Sequence, residues 1–211
     1  MFTGIILETG KVRAVTNRGG NTNLAIESSI VRLKLETGSS VAVNGVCLTV
    51  VELAKGSFVV EAIEETLSRT NLGELQSGSP VNLEPPVTPE GMLHGHLVQG
   101  HVDCTGKVSD VRRIDGSHVF EIQFPADLGK YVVEKGSVAV DGISLTIVEC
   151  GRGFFSVAAI PHTLENTILK YRIIGQSVNL EFDMIAKYIE RLMVAGKSEL
   201  TYSFLKEHGF G

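Results

Sequence analysis

Four blocks of this chain occur twice in the same order. Asn44-Gly45-Val46-Cys47-Leu48-Thr49-Val50-Val51-Glu52 returns as Asp141-Gly142-Ile143-Ser144-Leu145-Thr146-Ile147-Val148-Glu149, 97 positions on. Thr66-Leu67-x-x-Thr70-x-Leu72 returns at Thr163, and Gly78-x-x-Val81-Asn82-Leu83-Glu84 at Gly175, with the same offset of 97. Gly4 and Thr9-Gly10-Lys11-Val12 match Gly100 and Thr105-Gly106-Lys107-Val108, offset by 96. The chain is therefore two tandem copies of one unit and a tail. A period near 97 residues is too long for a solenoid module and suits a small domain. The expected boundaries are 1–96, 97–183 and a helical tail, 184–211. Two copies of one pocket point to two similar ligands, or to two halves of one pseudo-symmetric site.

Within each copy the apolar residues form short, β-branched runs bounded by turn residues: Val41–Val43, Val46–Val51, Phe58–Val60, Val138–Val140, Ile143–Val148 and Phe154–Ala159. That spacing predicts an all-β sandwich or barrel. Phe120-Glu121-Ile122-Gln123-Phe124 alternates as a half-buried strand does. Asn44-Gly45 and Asp141-Gly142 tolerate positive φ and read as turns. Gly19-Gly20 is another turn. Ser68–Leu72 and Glu165–Leu169 are expected to be short helical or irregular connections. The tail differs: Ile185, Tyr188, Ile189, Leu192 and Met193 fall at helical spacing, Asp183 stands at an N-cap position and Gly196 at a stop. A second short helix is expected from Ser198 to about Glu207. The apolar face of the first must cover a barrel or meet a partner subunit.

Composition narrows the function. The chain has 211 residues and a formal charge of −5, with no basic block to neutralise phosphates, so nucleic acid is not an expected partner. No apolar run is long enough for a membrane span and no signal-like N-terminus is seen. Three cysteines, Cys47, Cys104 and Cys150, read as free thiols in a reducing cytoplasm. No dinucleotide fingerprint or P-loop is present.

The residues between the copies, Leu93-His94-Gly95-His96-Leu97-Val98-Gln99-Gly100-His101-Val102-Asp103-Cys104, hold three histidines. Their spacing does not match paired zinc ligands, so no metal is expected. His94 and His96 read as surface or hydrogen-bonded turn residues. His101 stands where the first copy has Ile5, so a titratable group replaces an apolar one. It suits proton transfer, with a structural histidine as the alternative. Cys47 and Ser144 are equivalents, each able to hydrogen-bond or attack an electrophile; an inert buried thiol is the alternative for Cys47. Thr49 and Thr146 lie two residues on, on the same strand face, which suggests a polar pocket wall in both copies.

Over nearly its whole length the chain resembles the riboflavin synthase family. The resemblance rests on Met1-Phe2-Thr3-Gly4-Ile5, the Asn44 and Asp141 blocks, Glu65-Thr66-Leu67, Gly95-His96-Leu97-Val98-Gln99-Gly100-His101-Val102 and Val178-Asn179-Leu180-Glu181-Phe182-Asp183. One departure is His94, where the family has glycine; it bears on the linker's turn and on no expected pocket position. The resemblance implies an all-β fold, two six-stranded Greek-key barrels with a C-terminal α-helix that assembles a homotrimer. Each barrel would bind one 6,7-dimethyl-8-ribityllumazine. A four-carbon unit would pass between two of them, giving riboflavin and 5-amino-6-(D-ribitylamino)uracil, the last step of riboflavin biosynthesis. No cofactor or metal is implied; lumazine synthase is a further partner. The active site would lie between the N-terminal barrel of one subunit and the C-terminal barrel of the next. A non-catalytic, antenna-type lumazine- or flavin-binding protein is the alternative within the same fold. A flavin-reductase barrel would need a nicotinamide-binding domain that this chain lacks.

By position, the resemblance implies an N-barrel pocket of Gly4, Ile5, Ile6, Cys47, Leu48, Thr49, Glu61, Ala62, Ile63, Glu64, Glu65 and Thr66. It implies a C-barrel pocket of Gly100, His101, Val102, Lys135, Ser144, Leu145, Thr146, Ala158, Ala159, Ile160, Pro161, His162 and Thr163. His101 is the expected proton acceptor, assisted by Cys47, Ser40 and Asp183; Asp183 also has a competing role as helix cap.

Overall fold

The computed structural model describes residues 1–195 and Lys206. The first repeat forms β1 (Glu8–Arg18), β2 (Asn21–Glu27), β3 (Ser40–Val43), β4 (Val46–Ala54), β5 (Ser57–Ile63) and β6 (Pro80–Glu84). The second forms β7 (Cys104–Ile114), β8 (Ser117–Gln123), β9 (Ser137–Val140), β10 (Ile143–Gly151), β11 (Phe154–Ala159) and β12 (Ser177–Phe182). Each set closes into a six-stranded antiparallel barrel, the first in the order β1-β2-β5-β4-β3-β6 and the second in the matching order. The meander β3-β4-β5 has β2 against its last strand, which is the Greek-key arrangement. Closure leaves no strand edge unpaired.

Alternation along the strands fills the barrels. Val46, Leu48 and Val50 of β4 point inward with Phe58 and Val60 of β5, and Ile143, Leu145 and Ile147 do the same with Phe155 and Val157. Even the irregularities repeat. Bulges fall between Val12 and Ala14 and between Val108 and Asp110, and again between Val50 and Glu52 and between Ile147 and Glu149. Each bends a strand round the barrel. After β5 comes the short helix α1 (Glu64–Arg69), and after β11 its counterpart α2 (Pro161–Asn166). The hydroxyl of Thr70 donates to the carbonyl of Thr66 and accepts from the N–H of Leu72, and Thr167 does the same with Thr163 and Leu169. These bonds explain why the Thr-Leu-x-x-Thr-x-Leu block occurs twice.

The barrels meet at their hairpin tips. Asn44 and Gly45 have φ of 48° and 75°, Asp141 and Gly142 of 46° and 79°. Positive φ at both central residues is the type I′ turn, for which Asn-Gly and Asp-Gly are suited. A Cβ on Gly45 would lie 2.6 Å from the Gly142 nitrogen, and one on Gly142 would lie 2.7 Å from the Gly45 nitrogen. Buried amides lock the contact. Asn82 donates to the Asp141 carbonyl and Asn179 to the Asn44 carbonyl, both at 2.9 Å. Asn179 also accepts from the Asn71 N–H (2.7 Å), and Asn82 accepts from that of Ile168 (2.8 Å). Asp141 is fully buried; burial pushes its carboxyl up, while Arg172 beside it, donating at 2.5 and 2.9 Å, pulls it down.

The tail contributes α3 (Met184–Ala195). Asp183 Oδ1 accepts from the Ile185 N–H at 2.9 Å, so it caps the helix. Lys187 pairs with Asp103, and Glu190 accepts from Tyr131 (2.6 Å) and Lys130. The polar face thus lies on the chain's own second barrel. Ile185, Tyr188, Ile189, Leu192 and Met193, each more than half exposed, face outward. The expected stop at Gly196 and second helix from Ser198 lie outside the described residues. Among the described residues no helix is long and apolar enough to cross a membrane.

Two stability effects follow. Gly45→Ala should cost about 2–5 kcal/mol in chemical denaturation, combining left-handed strain with a clash against backbone. Gly19→Ala, with φ of 56° and open space around it, should cost only about 1 kcal/mol. The second effect concerns Glu8, whose carboxylate accepts from the N–H groups of Ser29, Ile30 and Val31 and the hydroxyls of Ser28 and Ser29. Burial pushes its carboxyl up, but the bonds from Ser29, Val31 and Ser28 outweigh it and bring it from 4.5 to about 2. A depressed carboxyl stabilises the fold above its unfolded pKa and loses that contribution as pH falls through the folded one. Glu8→Gln should therefore destabilise by about 1 kcal/mol at neutral pH, with the difference closing between pH 4.5 and 2.

Candidate active site

The segment ahead of each barrel crosses to the other barrel. Phe2 and Val98 form an antiparallel bridge, with N–H to O distances of 2.7 and 3.1 Å. Beyond it, Gly4 accepts at its carbonyl from the Ser144 N–H (2.7 Å), and Gly100 accepts from that of Cys47 (2.9 Å). Ile6 packs on the second barrel's core and Val102 on the first's. This corrects the grouping expected from sequence. Gly4, Ile5 and Ile6 belong with Ser144, not with Cys47; Gly100, His101 and Val102 belong with Cys47. Sequence order suggested that each copy completes its own pocket, but the Phe2–Val98 bridge between the barrels directs each leader to its neighbour.

A buried carboxylate holds each leader in place. Glu84 accepts from the Thr3 N–H (2.6 Å), the Thr3 hydroxyl (2.8 Å) and the Gly4 N–H (3.0 Å). Glu181 accepts from the N–H groups of Gln99 (2.6 Å), Gly100 (2.9 Å) and His101 (3.0 Å). Burial pushes both carboxyls up, opposed by these bonds. Neither glutamate was singled out as a site residue, although Val-Asn-Leu-Glu in both copies was the signal. An Asn and a Glu that keep their place in two otherwise apolar strands must each satisfy something buried.

Cys47 and Thr49 lie on the outer face of β4, and Ser144 and Thr146 on that of β10, as strand alternation dictates. Leu48 and Leu145 point into the cores, so only their backbones face outward. Cys47 is half-buried against the small cluster of Phe2, Ala42, Val98 and Ala139 between the barrels. Ser40 is paired across the sheet with Thr49, near Cys47 on the first barrel. Ala62 and Ala159 are buried; Glu61, Ile63, Glu64, Glu65, Ala158, Ile160, Pro161 and His162 are exposed, and Thr66 and Thr163 half-buried. Cys104, by contrast, has its thiol pushed up to about 12, first by burial and then by Asp103 and Asp127, so it is no nucleophile.

The histidines part company. His101 is exposed and stands beside Gly100 on the Cys47 side. His96 is half-buried, and its Nδ1 is 2.7 Å from the Ser144 hydroxyl. His94 borders a cleft of about 410 Å³ that also takes in Thr3, Ile5, Lys34, Glu84 and Met92. The departure from glycine at position 94 is thus nearer to Ile5 than the sequence suggested. Lys135 adopts a left-handed φ of 64° where the first copy has Gly38 at 91°, and both donate the same backbone bond, to Ile147 and Val50. A lysine in that conformation is strained, which is the kind of cost found at ligand-binding positions.

The lumazine binding domain model matches this chain twice, over residues 3–85 and 99–183. The chain belongs to the lumazine-binding family. Its likeness to curated proteins runs end to end. It is 42% identical to the riboflavin synthase of Actinobacillus pleuropneumoniae and 38% identical to that of Bacillus subtilis, covering 100% of both chains each time. It is 48% identical to that of Mycobacterium bovis over 92% of this chain and 98% of that one. Among solved structures it resembles LumP complexed with riboflavin, with a TM-score of 0.79 and 24% identity over 86% of this chain and 99% of that one. LumP complexed with 6,7-dimethyl-8-(1'-D-ribityl) lumazine gives 0.78 at 21% identity, over 86% and 99% of the two chains. Both share the lumazine-binding barrel pair. Lys135→Gly should raise stability by about 1 kcal/mol, measured by chemical denaturation.

Proposed function

We infer that the chain is a riboflavin synthase, converting two molecules of 6,7-dimethyl-8-ribityllumazine to riboflavin and 5-amino-6-(D-ribitylamino)uracil by transfer of a four-carbon unit. The observation that carries this reading is a duplicated barrel on a chain that aligns end to end with riboflavin synthases. A reaction between two copies of one substrate requires two similar pockets. One must act as donor and the other as acceptor, so the pockets must also differ, as Cys47 and Ser144 do. The C7 methyl of a lumazine is acidic because its carbanion delocalises into the ring. The protein then has chiefly to hold two such rings together.

The first pocket is read as Cys47, Thr49 and the Glu61–Thr66 stretch with Gly100, His101 and Val102. The second is Ser144, Thr146 and the Ala158–Thr163 stretch with Gly4, Ile5 and Ile6. His101 accepts a proton, assisted by Cys47, Ser40 and Asp183, whose carboxylate also caps α3. Thr66 and Thr163 help hold the rings, and Lys135 meets a ribityl chain. The exposed Ile63 and Ile160, at 53% and 57%, favour completion by a second copy. The site accordingly lies between the N-terminal barrel of one subunit and the C-terminal barrel of the next, in a cytoplasmic homotrimer joined through the apolar face of α3. The reading also takes in lumazine synthase as a second macromolecular partner.

Purified protein given 6,7-dimethyl-8-ribityllumazine alone should form riboflavin at half the molar amount of lumazine consumed, followed by absorbance. Ligand bound without riboflavin would move the chain to the antenna-type, non-catalytic class. Sedimentation should report three chains per particle, and Leu192→Glu should lose assembly and turnover together.

A further inference from the structure

The two leaders cross with the same backbone pattern, but Ser144 and Cys47 differ in their side-chain contacts. Ser144 and Cys47 each donate their N–H to a glycine of the crossing leader, at 2.7 and 2.9 Å. Among the described residues, Ser144 but not Cys47 meets a base. His96 donates its backbone N–H to the Thr3 carbonyl (3.1 Å), which seats it beside the bridge, and its Nδ1 lies 2.7 Å from Ser144 Oγ. Its Nε2 is buried and has no hydrogen-bond partner among the described residues. Cys47 makes no side-chain hydrogen bond among the described residues, packing instead against Phe2, Ala42, Val98 and Ala139.

We propose that His96 is a positioning residue that fixes the Ser144 hydroxyl as a hydrogen-bond acceptor toward the ligand, and so makes the second pocket chemically unlike the first. This rests on the lumazine-binding reading of the cleft and adds a residue to it. A neutral imidazole with its proton on Nε2 has a lone pair on Nδ1. The Ser144 O–H then donates to Nδ1, and the lone pairs of Oγ are left for an N–H or O–H of the bound molecule. Burial lowers the ring's proton affinity, and Asp183, the charged group that the ring feels, opposes this. Burial thus favours the neutral ring. On protonation Nδ1 becomes a donor, the hydroxyl turns, and Ser144 offers a proton to the pocket where it had offered a lone pair. No covalent bond forms or breaks; one proton moves from solvent to the ring.

The test compares wild type with His96→Phe, His96→Gln, Ser144→Ala and the double variant His96→Phe/Ser144→Ala, using 6,7-dimethyl-8-ribityllumazine as substrate. His96→Phe should lower kcat about tenfold, the scale of one hydrogen bond lost. The double variant should be no worse than Ser144→Ala alone, because the two act as a unit. His96→Gln, whose amide oxygen can accept from Ser144, should restore most of kcat at pH 7 and make the acid limb less steep by one titration, leaving that of the His101 base. A merely structural role would not move that limb. Unchanged kcat and acid limb in both folded His96 variants, or equal losses with and without Ser144, would overturn the proposal while leaving the synthase reading intact. Wild type without turnover would sink the synthase reading instead. The proposal would then be decided by 15N NMR of the His96 ring, which must show Nε2 protonated, and a proton on Nδ1 at neutral pH would refute it.

Discussion

The whole molecule depends on two hairpin tips that meet without side chains between them. Gly45 and Gly142 approach so closely that either Cβ would strike the other's backbone. Such an approach buries amide and carbonyl groups, and buried polar groups must be paired. Asn82 and Asn179 do this reciprocally, each reaching from its own barrel to the opposite turn. The symmetry is broken at Asn71, which bonds Asp141 and Asn179 where the second copy has Ile168, and at Asp141 itself. Asp141 stands where the first copy has Asn44, and Arg172 stands where it has Leu75, so a buried charge and its counter-ion occur together. A lone carboxylate there would be costly, and its partner is what makes the exchange tolerable.

With the tips joined, the leaders have a defined course. The Phe2–Val98 bridge lies between the barrels, and each leader runs on from it under its own barrel's glutamate to the neighbour's outer strand. Each leader is therefore held by the glutamate of one barrel and lies on the other. That crossing repeats one backbone geometry in both copies, while the residues near the bridge need not match. His96 is such a residue, and so is His101 in the position of Ile5.

The tail shows the same division of labour on another scale. Lys187 and Glu190 bind α3 to the second barrel, while its apolar stripe stays outside. The periodicity had left two destinations for that stripe. Ion pairs on the opposite face settle which side touches the chain's own barrel, since one helix cannot turn both faces inward.

Much was legible in the order of residues alone. The repeat, the β-branched runs, the Asn-Gly and Asp-Gly turns and the helical period after Asp183 all depend on contacts within a few residues, so local pattern determined them. β1 and β7 were harder to read, because Glu8–Arg18 and Cys104–Ile114 mix polar residues and a bulge into the alternation. The outward face of Cys47 and Thr49 followed from strand alternation. Which leader lies beside which strand did not, because that pairing joins Gly4 to Ser144 and Gly100 to Cys47 across distances in sequence that carry no periodic signal. Nor could sequence reveal that Glu84 and Glu181 are clamps or that His96 touches Ser144. A buried carboxylate or imidazole is defined by what surrounds it, and only the docking of one barrel on the other supplies those surroundings.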